Sequence, residues 1–312
     1  MLSLRAKIVL AIIGKKFNVN PYTCNDPVAK IKGLETPGKY KAPKGYVHSK
    51  EAINDGGYLE FVKPKNGNSK NLIYVLHGGA YVSGLIDIYR YTAVKYSKAG
   101  YGADVAFLDY HIAPTYKYPT ALNDALDGWE KLLEKGYKPG NIMLVGDSAG
   151  GNLTLALMLK LRDMGYDMPR GAICMSPWAD MTASGESYIK NFNRDVMFGG
   201  KQEVKAEMAE MFINSPIYAF CVDCDRTDPY LSPVFGEYHD FPPMMFAVGS
   251  DEVLLSDTLT IKEKLDKENI RADLLIGEHM FHVWPIFHQL FPEAKKAMNA
   301  ICAFITEQYT QK

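Results

Sequence analysis

The sequence predicts an α/β protein built on a mostly parallel, doubly wound sheet, and three observations carry that expectation. Short apolar runs recur along the chain, separated by stretches whose apolar residues repeat at helical spacing. One run, 142–145 (IMLV), leads directly into Gly146-Asp147-Ser148-Ala149-Gly150 and then into 153–161, rich in Leu, Ala and Met. Another, 71–76 (NLIYVL), ends in His77-Gly78-Gly79-Ala80, a loop nearly free of side-chain bulk. Strand, G-x-S-x-G, helix is the context of a nucleophile elbow, a turn so sharp that the positions two before and two after the serine must lack bulk.

At 312 residues the chain is long enough for two domains or for one large α/β domain with an elaborated cap. Its 35 basic residues against 36 acidic ones give a net charge of −1, which implies no polyanion-binding face and makes nucleic acid a poor partner. Five cysteines, at 24, 174, 221, 224 and 302, are few and odd in number, so reduced thiols and a cytoplasmic setting are expected. Cys221 and Cys224 form a C-x-x-C, but with no second pair or close histidine, and no strand-to-helix setting, they read as loop residues.

Taken in order, 1–17 carries a short apolar run, 8–13, between lysines. It is too short to span a bilayer, and Lys15-Lys16-Phe17 does not suit a signal cleavage site. Leu2, Leu4, Ile8, Ile12 and Ile13 predict an amphipathic helix, with packing on the body of the protein the favoured reading and membrane association the alternative. Residues to about 45, with Pro21, Pro27, Pro37 and Pro43, are a loosely patterned cap segment. Residues 58–62 (YLEFV) read as an early strand, and 63–70 (KPKNGNSK), with its Asn-Gly pair, as a hairpin connection. Strand 71–76 is followed by helix 86–98, strand 103–108, and helix 119–135 with proline at its start. The elbow, strand 172–175 and Ser176-Pro177-Trp178 come next. From 179 to 227 the pattern is polar, with Met- and Phe-containing helical stretches, and reads as an insertion over the sheet. Strands 244–248 and 272–276 flank helix 254–267, and 291–308 closes the chain as a helix.

Acyl transfer by a serine needs a nucleophile, a base, an acid to orient the base, and donors for the oxyanion. Ser148 supplies the first. Backbone N–H groups of Gly78, Gly79 or Ala80, with that of Ala149, can converge on an oxygen. For the base, His279 and His282 both lie after strand 272–276, with His288 nearby. For the acid, Asp251 and Glu252 both follow strand 244–248, whereas Asp257, a turn into the helix, reads as a solvated or capping group.

With these stretches together, the chain resembles the hormone-sensitive-lipase-type, acetyl-esterase-like branch of the α/β-hydrolases. The matching segments are HGGAYVSG from His77, YHIAPTYKYPTALND from Tyr110, GDSAGGNLTL from Gly146, SPWADMT from Ser176, DPYLSP from Asp228, PPMMFAVGSDEVLLSD from Pro242, and the segment around His282. The resemblance implies the α/β-hydrolase fold, Ser148 as nucleophile and His282 as general base. It assigns the oxyanion site to the His77 loop and Ala149. Counting from the Pro-Pro-led strand to Leu254 lands on Glu252 as the acid, with Asp251 the alternative. Ala80 replaces the family's third glycine. His111 and Thr115 replace its arginine and glutamate, so a structural ion pair is expected to be missing.

The organisation expected is a cap segment over 1–45, a core over 46–178 and 228–312, and a cap insertion over 179–227. Tyr81, Val82, Trp178, Met197, Phe198, Met211 and Phe212 are candidates for an apolar pocket. The resemblance implies small short-chain acyl esters as substrates and calls for no metal or organic cofactor. Amide or arylformamide hydrolysis on the same groups is the alternative within enzymes. A non-catalytic small-molecule binding protein, as in the related plant hormone receptors, is the alternative outside them; loss of the base histidine would mark it, and His282 is present. No stable membrane insertion is expected, and a second copy of the chain is the one possible protein partner.

Overall fold

A computed structural model describes residues 2–33, 35, 40–202 and 208–311; Pro37 of the cap segment and 203–207 of the insertion lie outside them. The chain opens with helices α1 (Leu4–Lys16) and α2 (Pro27–Lys32). Ser3 and Asp26 cap them by accepting the N–H of Ala6 and Ala29, and Pro27 opens α2 where its missing N–H costs nothing. Strands β1 (Tyr46–Ala52), β2 (Tyr58–Pro64) and β3 (Leu72–Leu76) follow, then α3 (Asp87–Ala99), β4 (Asp104–Asp109) and α4 (Thr120–Glu134). Next come β5 (Ile142–Asp147), α5 (Ala149–Asp163) and β6 (Gly171–Met175). The short helices α6 (Ser187–Lys190) and α7 (Met208–Ile213) precede β7 (Met244–Gly249), α8 (Leu255–Lys267), β8 (Ala272–Gly277) and α9 (Pro292–Thr310).

The eight strands form one sheet in the order β1-β2-β4-β3-β5-β6-β7-β8. All neighbours from β4 to β8 run parallel, while β2 is antiparallel to both β1 and β4. Every residue of β3, β5, β6 and β7 is buried, because helices cover both faces. That is why these strands read as unbroken apolar runs.

Two expectations fail at the sheet's edge. The stretch 63–70 does not close a hairpin: it links β2 to β3, and β4 lies between those strands. The hairpin is β1–β2, where Ala52 faces Tyr58 and the Ile53 N–H donates to Gly57 O at 3.0 Å. β1 itself had no strand signal, since an edge strand with five of its seven residues exposed needs no apolar face.

The N-terminal segment and the stretch after β6 are bound together. The Val19 N–H donates to Met197 O at 2.6 Å, and Asn18 Nδ2 donates to Val196 O and Gly199 O at 3.0 and 2.9 Å. No described helix is long and apolar enough to cross a membrane.

Candidate active site

Ser148 sits between β5 and α5 with φ 54° and ψ −122°. A Cβ at Gly146 would lie 2.2 Å from Gly150 O, and one at Gly150 would lie 2.0 Å from Leu76 O, so the turn admits glycine alone at both places. A left-handed serine costs about 1–3 kcal/mol. The surroundings hold it there: its N–H donates to Met175 O at 2.9 Å, and its carbonyl accepts from Asn152 and Trp178, both at 3.0 Å.

After β3 the chain passes through three residues of positive φ, Gly79 at 116°, Ala80 at 52° and Tyr81 at 58°. Gly78 has to be removed from the candidate oxyanion donors. Its N–H already donates to Tyr89 Oη at 3.0 Å and Asp147 Oδ1 at 3.1 Å. Among the described residues, nothing takes the N–H of Gly79 or Ala80. The Ala149 N–H opens α5, where no intrahelical acceptor exists. These three N–H groups remain for an anion beside Ser148.

Asp147 is the anchor of this loop. Its other oxygen accepts the Tyr89 hydroxyl at 2.8 Å. Burial pushes its carboxyl up to about 6, against the pull of the Tyr89 hydrogen bond. His77 buttresses the same turn: its ring stacks on Tyr110 at 4.2 Å, its Nδ1 meets Gly78 O at 2.7 Å, and burial lowers its pKa.

The two candidate acids and two candidate bases sort into separate pairs. Glu252, fully buried, places Oε2 2.9 Å from His282 Nδ1. Its Oε1 accepts the Ser176 hydroxyl at 2.8 Å and the Gly249 N–H at 2.5 Å. Ser176 Oγ in turn accepts the Val283 N–H at 3.1 Å, tying the acid to the loop of the base. Asp251 instead meets His279 Nδ1 at 3.2 Å, and His279 is 60% exposed. His282 and Ser148 line one cavity; Asp251 and His279 do not.

That cavity, about 290 Å³, is walled by Ile13, Phe17, Ile86, Met197, Phe198 and Phe287, among others. A second niche of about 30 Å³ adjoins Ser148, Ala80 and Phe198 and is closed by Trp178, Tyr188, Phe212 and Leu254. Of the candidate pocket residues, Phe198 lines both spaces, Trp178 and Phe212 only the niche. Tyr81 and Val82 line neither. Tyr81 turns away to give its hydroxyl to Asn152 at 2.6 Å and to stack on Phe220, and Val82 is fully buried.

Several site residues carried no signal in the sequence. Asp195, with its carboxyl pushed up to about 6 by burial, accepts the N–H groups of Val253, Met197 and Phe198 at 2.8, 2.8 and 3.0 Å. Asn191 donates to Ser250 O and Glu252 O at 3.0 and 2.8 Å. Both fasten the stretch after β6 to the acid's loop, yet in a polar sequence they look like any solvated Asp or Asn. A cap from 1–45 was expected, but which of its residues wall the cavity was equally hidden, since only the tertiary fold brings Ile13 and Phe17 into it.

Two further expectations are corrected. Asp257 is not solvated: it is buried and accepts the N–H groups of Ala179 and Asp180 at 2.8 and 2.9 Å, and burial raises its pKa strongly. The position of the missing ion pair is not empty either. His111 Nδ1 lies 2.9 Å from Asp124 Oδ2, whose partner oxygen accepts from Asn54 at 2.7 Å. Among the described residues, no group of three or more His, Cys, Asp or Glu is placed to hold a metal ion.

The fold that carries these groups has counterparts among known proteins. A family model described as alpha/beta hydrolase fold matches residues 73–286, and the chain belongs to that family. It is a carboxylic ester hydrolase of the hormone-sensitive-lipase type. An acetyl-hydrolase of Streptomyces hygroscopicus is 33% identical over 79% of this chain and 78% of its own. An esterase of Acinetobacter venetianus is 32% identical over 77% and 76%. Among solved structures, the esterase EstE5 soaked with p-nitrophenyl butyrate superposes with a TM-score of 0.84 at 31% identity, covering 99% of each chain. An esterase of the bacterial hormone-sensitive lipase family gives 0.83 at 28% identity, again over 99% of each chain.

Proposed function

We propose that this chain hydrolyses esters of short carboxylic acids through an acyl-Ser148 intermediate, and that it accepts bulky apolar groups on the alcohol side. The observation that carries this reading is that two unequal spaces meet at Ser148 and His282 lines only the larger. A leaving alkoxide must take its proton from the base, so the alcohol lies on the His282 side. The acyl group then points into the niche of about 30 Å³, which suits an acetyl-sized chain.

In this mechanism His282 takes the Ser148 proton as Oγ attacks the ester carbonyl. Glu252 holds the imidazole at Nδ1 and stabilises its charge. The N–H groups of Gly79, Ala80 and Ala149 receive the oxyanion. The C–O bond to the alcohol breaks, and His282 returns the proton to the departing oxygen. Water then attacks the acyl carbon, giving a proton to His282; the bond to Ser148 Oγ breaks, His282 returns that proton to Oγ, and the carboxylic acid leaves. Protein, ester and water account for every proton and electron pair in this cycle. Residues 1–45 and 179–227 act as the cap, over a core of 46–178 and 228–312. The five unpaired thiols suit a reducing, cytoplasmic setting.

The test compares kcat/KM along two series: p-nitrophenyl acetate, butyrate and octanoate, and methyl, phenyl and naphthyl acetates. The expected result is a steep fall along the acyl series and no fall along the alcohol series. Phe212→Ala, which opens the niche, should raise butyrate turnover relative to acetate about tenfold, the scale of one or two methylenes in an apolar pocket. A native enzyme indifferent to acyl length but intolerant of large alcohols would overturn the assignment of the two spaces.

A further inference from the structure

Helix α1 is apolar on two opposite sides. Its inner side, with Ala6 and Ile13 buried, packs on the body of the protein and helps to wall the larger cavity. Its outer side exposes Leu4 at 75%, Ile8 at 52% and Ile12 at 47%. At about 100° per residue these three fall within an arc of about 80°, on the side away from Ala6 and Ile13. Isolated exposed aliphatic residues are ordinary, but three in register along one helix make a continuous stripe.

The charges on this helix are all of one sign. Arg5, Lys7, Lys15 and Lys16 are exposed, and α1 holds no Asp or Glu, in a chain whose net charge is −1. On the helical wheel Lys7 flanks the stripe on one side, Arg5 and Lys16 on the other, and Lys15 continues its line. The helix is also pinned at both ends, so the stripe has no route inward. Ser3 N and Oγ bond Glu293 at 2.6 and 2.8 Å, and Asn18 bonds Val196 and Gly199.

We infer that the outer face of α1 docks on an anionic bilayer surface, with Leu4, Ile8 and Ile12 entering the headgroup–acyl boundary and the four cations meeting acidic lipid. An apolar stripe flanked by cations is the pattern of an interfacial helix, which lies in the membrane surface without crossing it. Charge selects the partner: a second copy would bring another all-basic α1 against the first, whereas an acidic leaflet complements it. Docking would set the α1 wall of the cavity against the phase in which apolar esters dissolve.

The test is co-sedimentation of the full chain with vesicles of phosphatidylcholine, with and without phosphatidylserine, at low and high salt. The native protein should sediment with the phosphatidylserine vesicles and be released by salt. Leu4→Ser/Ile8→Ser/Ile12→Ser should weaken binding at least about tenfold. Arg5→Gln/Lys7→Gln/Lys15→Gln/Lys16→Gln should weaken it about fivefold for each charge removed, since each is worth about 1 kcal/mol at such a surface. Thermal unfolding, which is independent of any activity, checks that each variant is folded. The proposal is overturned if the native protein ignores phosphatidylserine, if the folded serine variant binds as well as native, or if the stripe instead holds a dimer that the serine variant dissociates.

Discussion

Asp251 and Glu252 are neighbours in sequence, as His279 and His282 nearly are, yet the two acid–imidazole pairs they form have opposite surroundings. Asp251–His279 stands at the surface, at 3.2 Å, with an imidazole 60% exposed. Glu252–His282 is at 2.9 Å with side chains 0% and 5% exposed, and both remaining donors around Glu252 come from fixed groups, Ser176 and the Gly249 backbone. An exposed pair contributes little, because water screens it and side-chain entropy opposes it. A buried pair with its lone pairs satisfied is held in one geometry, which is what orienting an imidazole requires. The difference lies in the turn after β7: one residue further along the chain reverses which way the acid points.

The largest effect expected from this contrast is at Glu252. Glu252→Gln keeps the shape but removes the charge that fixes the imidazole tautomer, and kcat for p-nitrophenyl acetate should fall about 10³- to 10⁴-fold. Ser176→Ala removes one donor to Glu252 and the acceptor for Val283, and should cost about tenfold in kcat with KM little changed, as loss of one supporting hydrogen bond would. Asp251→Asn and His279→Ala should each leave kcat/KM within about twofold, since surface changes of this sort have small effects. A large loss at Asp251 together with a small one at Glu252 would reverse the comparison.

Asp147 and Asp195 extend the contrast to buried acids that hydrogen-bond no imidazole. Burial raises both to about 6 from the ordinary 3.8. The folded protein therefore takes up these protons near pH 6, whereas the unfolded chain does so only near pH 4. The cost of keeping them charged is present in full above pH 6 and is relieved as pH falls toward 4. Asp147→Asn should flatten that part of the stability–pH curve by up to about 3 kcal/mol, measured by urea unfolding between pH 4 and 7. An unchanged slope would show that Asp147 stays ionised throughout.

Much of this was legible in the sequence because the informative residues sit where local rules and tertiary rules agree. The strands buried on both faces are apolar throughout, and Gly146 and Gly150 are required by contacts of 2.2 and 2.0 Å that the elbow itself creates. The resemblance to esterases supplied the order of the candidate groups along the chain. Three kinds of feature were not legible. β1 is polar because it lies at an edge. The direction of the Gly78 N–H is decided by Asp147 and Tyr89, which no spacing rule connects to it. The cavity walls Ile13 and Phe17 come from the far end of the chain from His282, and the anchors Asn191 and Asp195 bond a loop about 60 residues further on, contacts that only the tertiary fold creates.

In the proposed mechanism Ser148 carries the acyl group, sharing its cavity with His282, which Glu252 holds at Nδ1. The most direct test is to quench the enzyme with acid during turnover of p-nitrophenyl acetate and locate the acetyl group by peptide mass spectrometry. One acetyl group per chain on the peptide holding Ser148, absent in Ser148→Ala, is the predicted result. Acetyl on another residue, or turnover undiminished in Ser148→Ala, would contradict it.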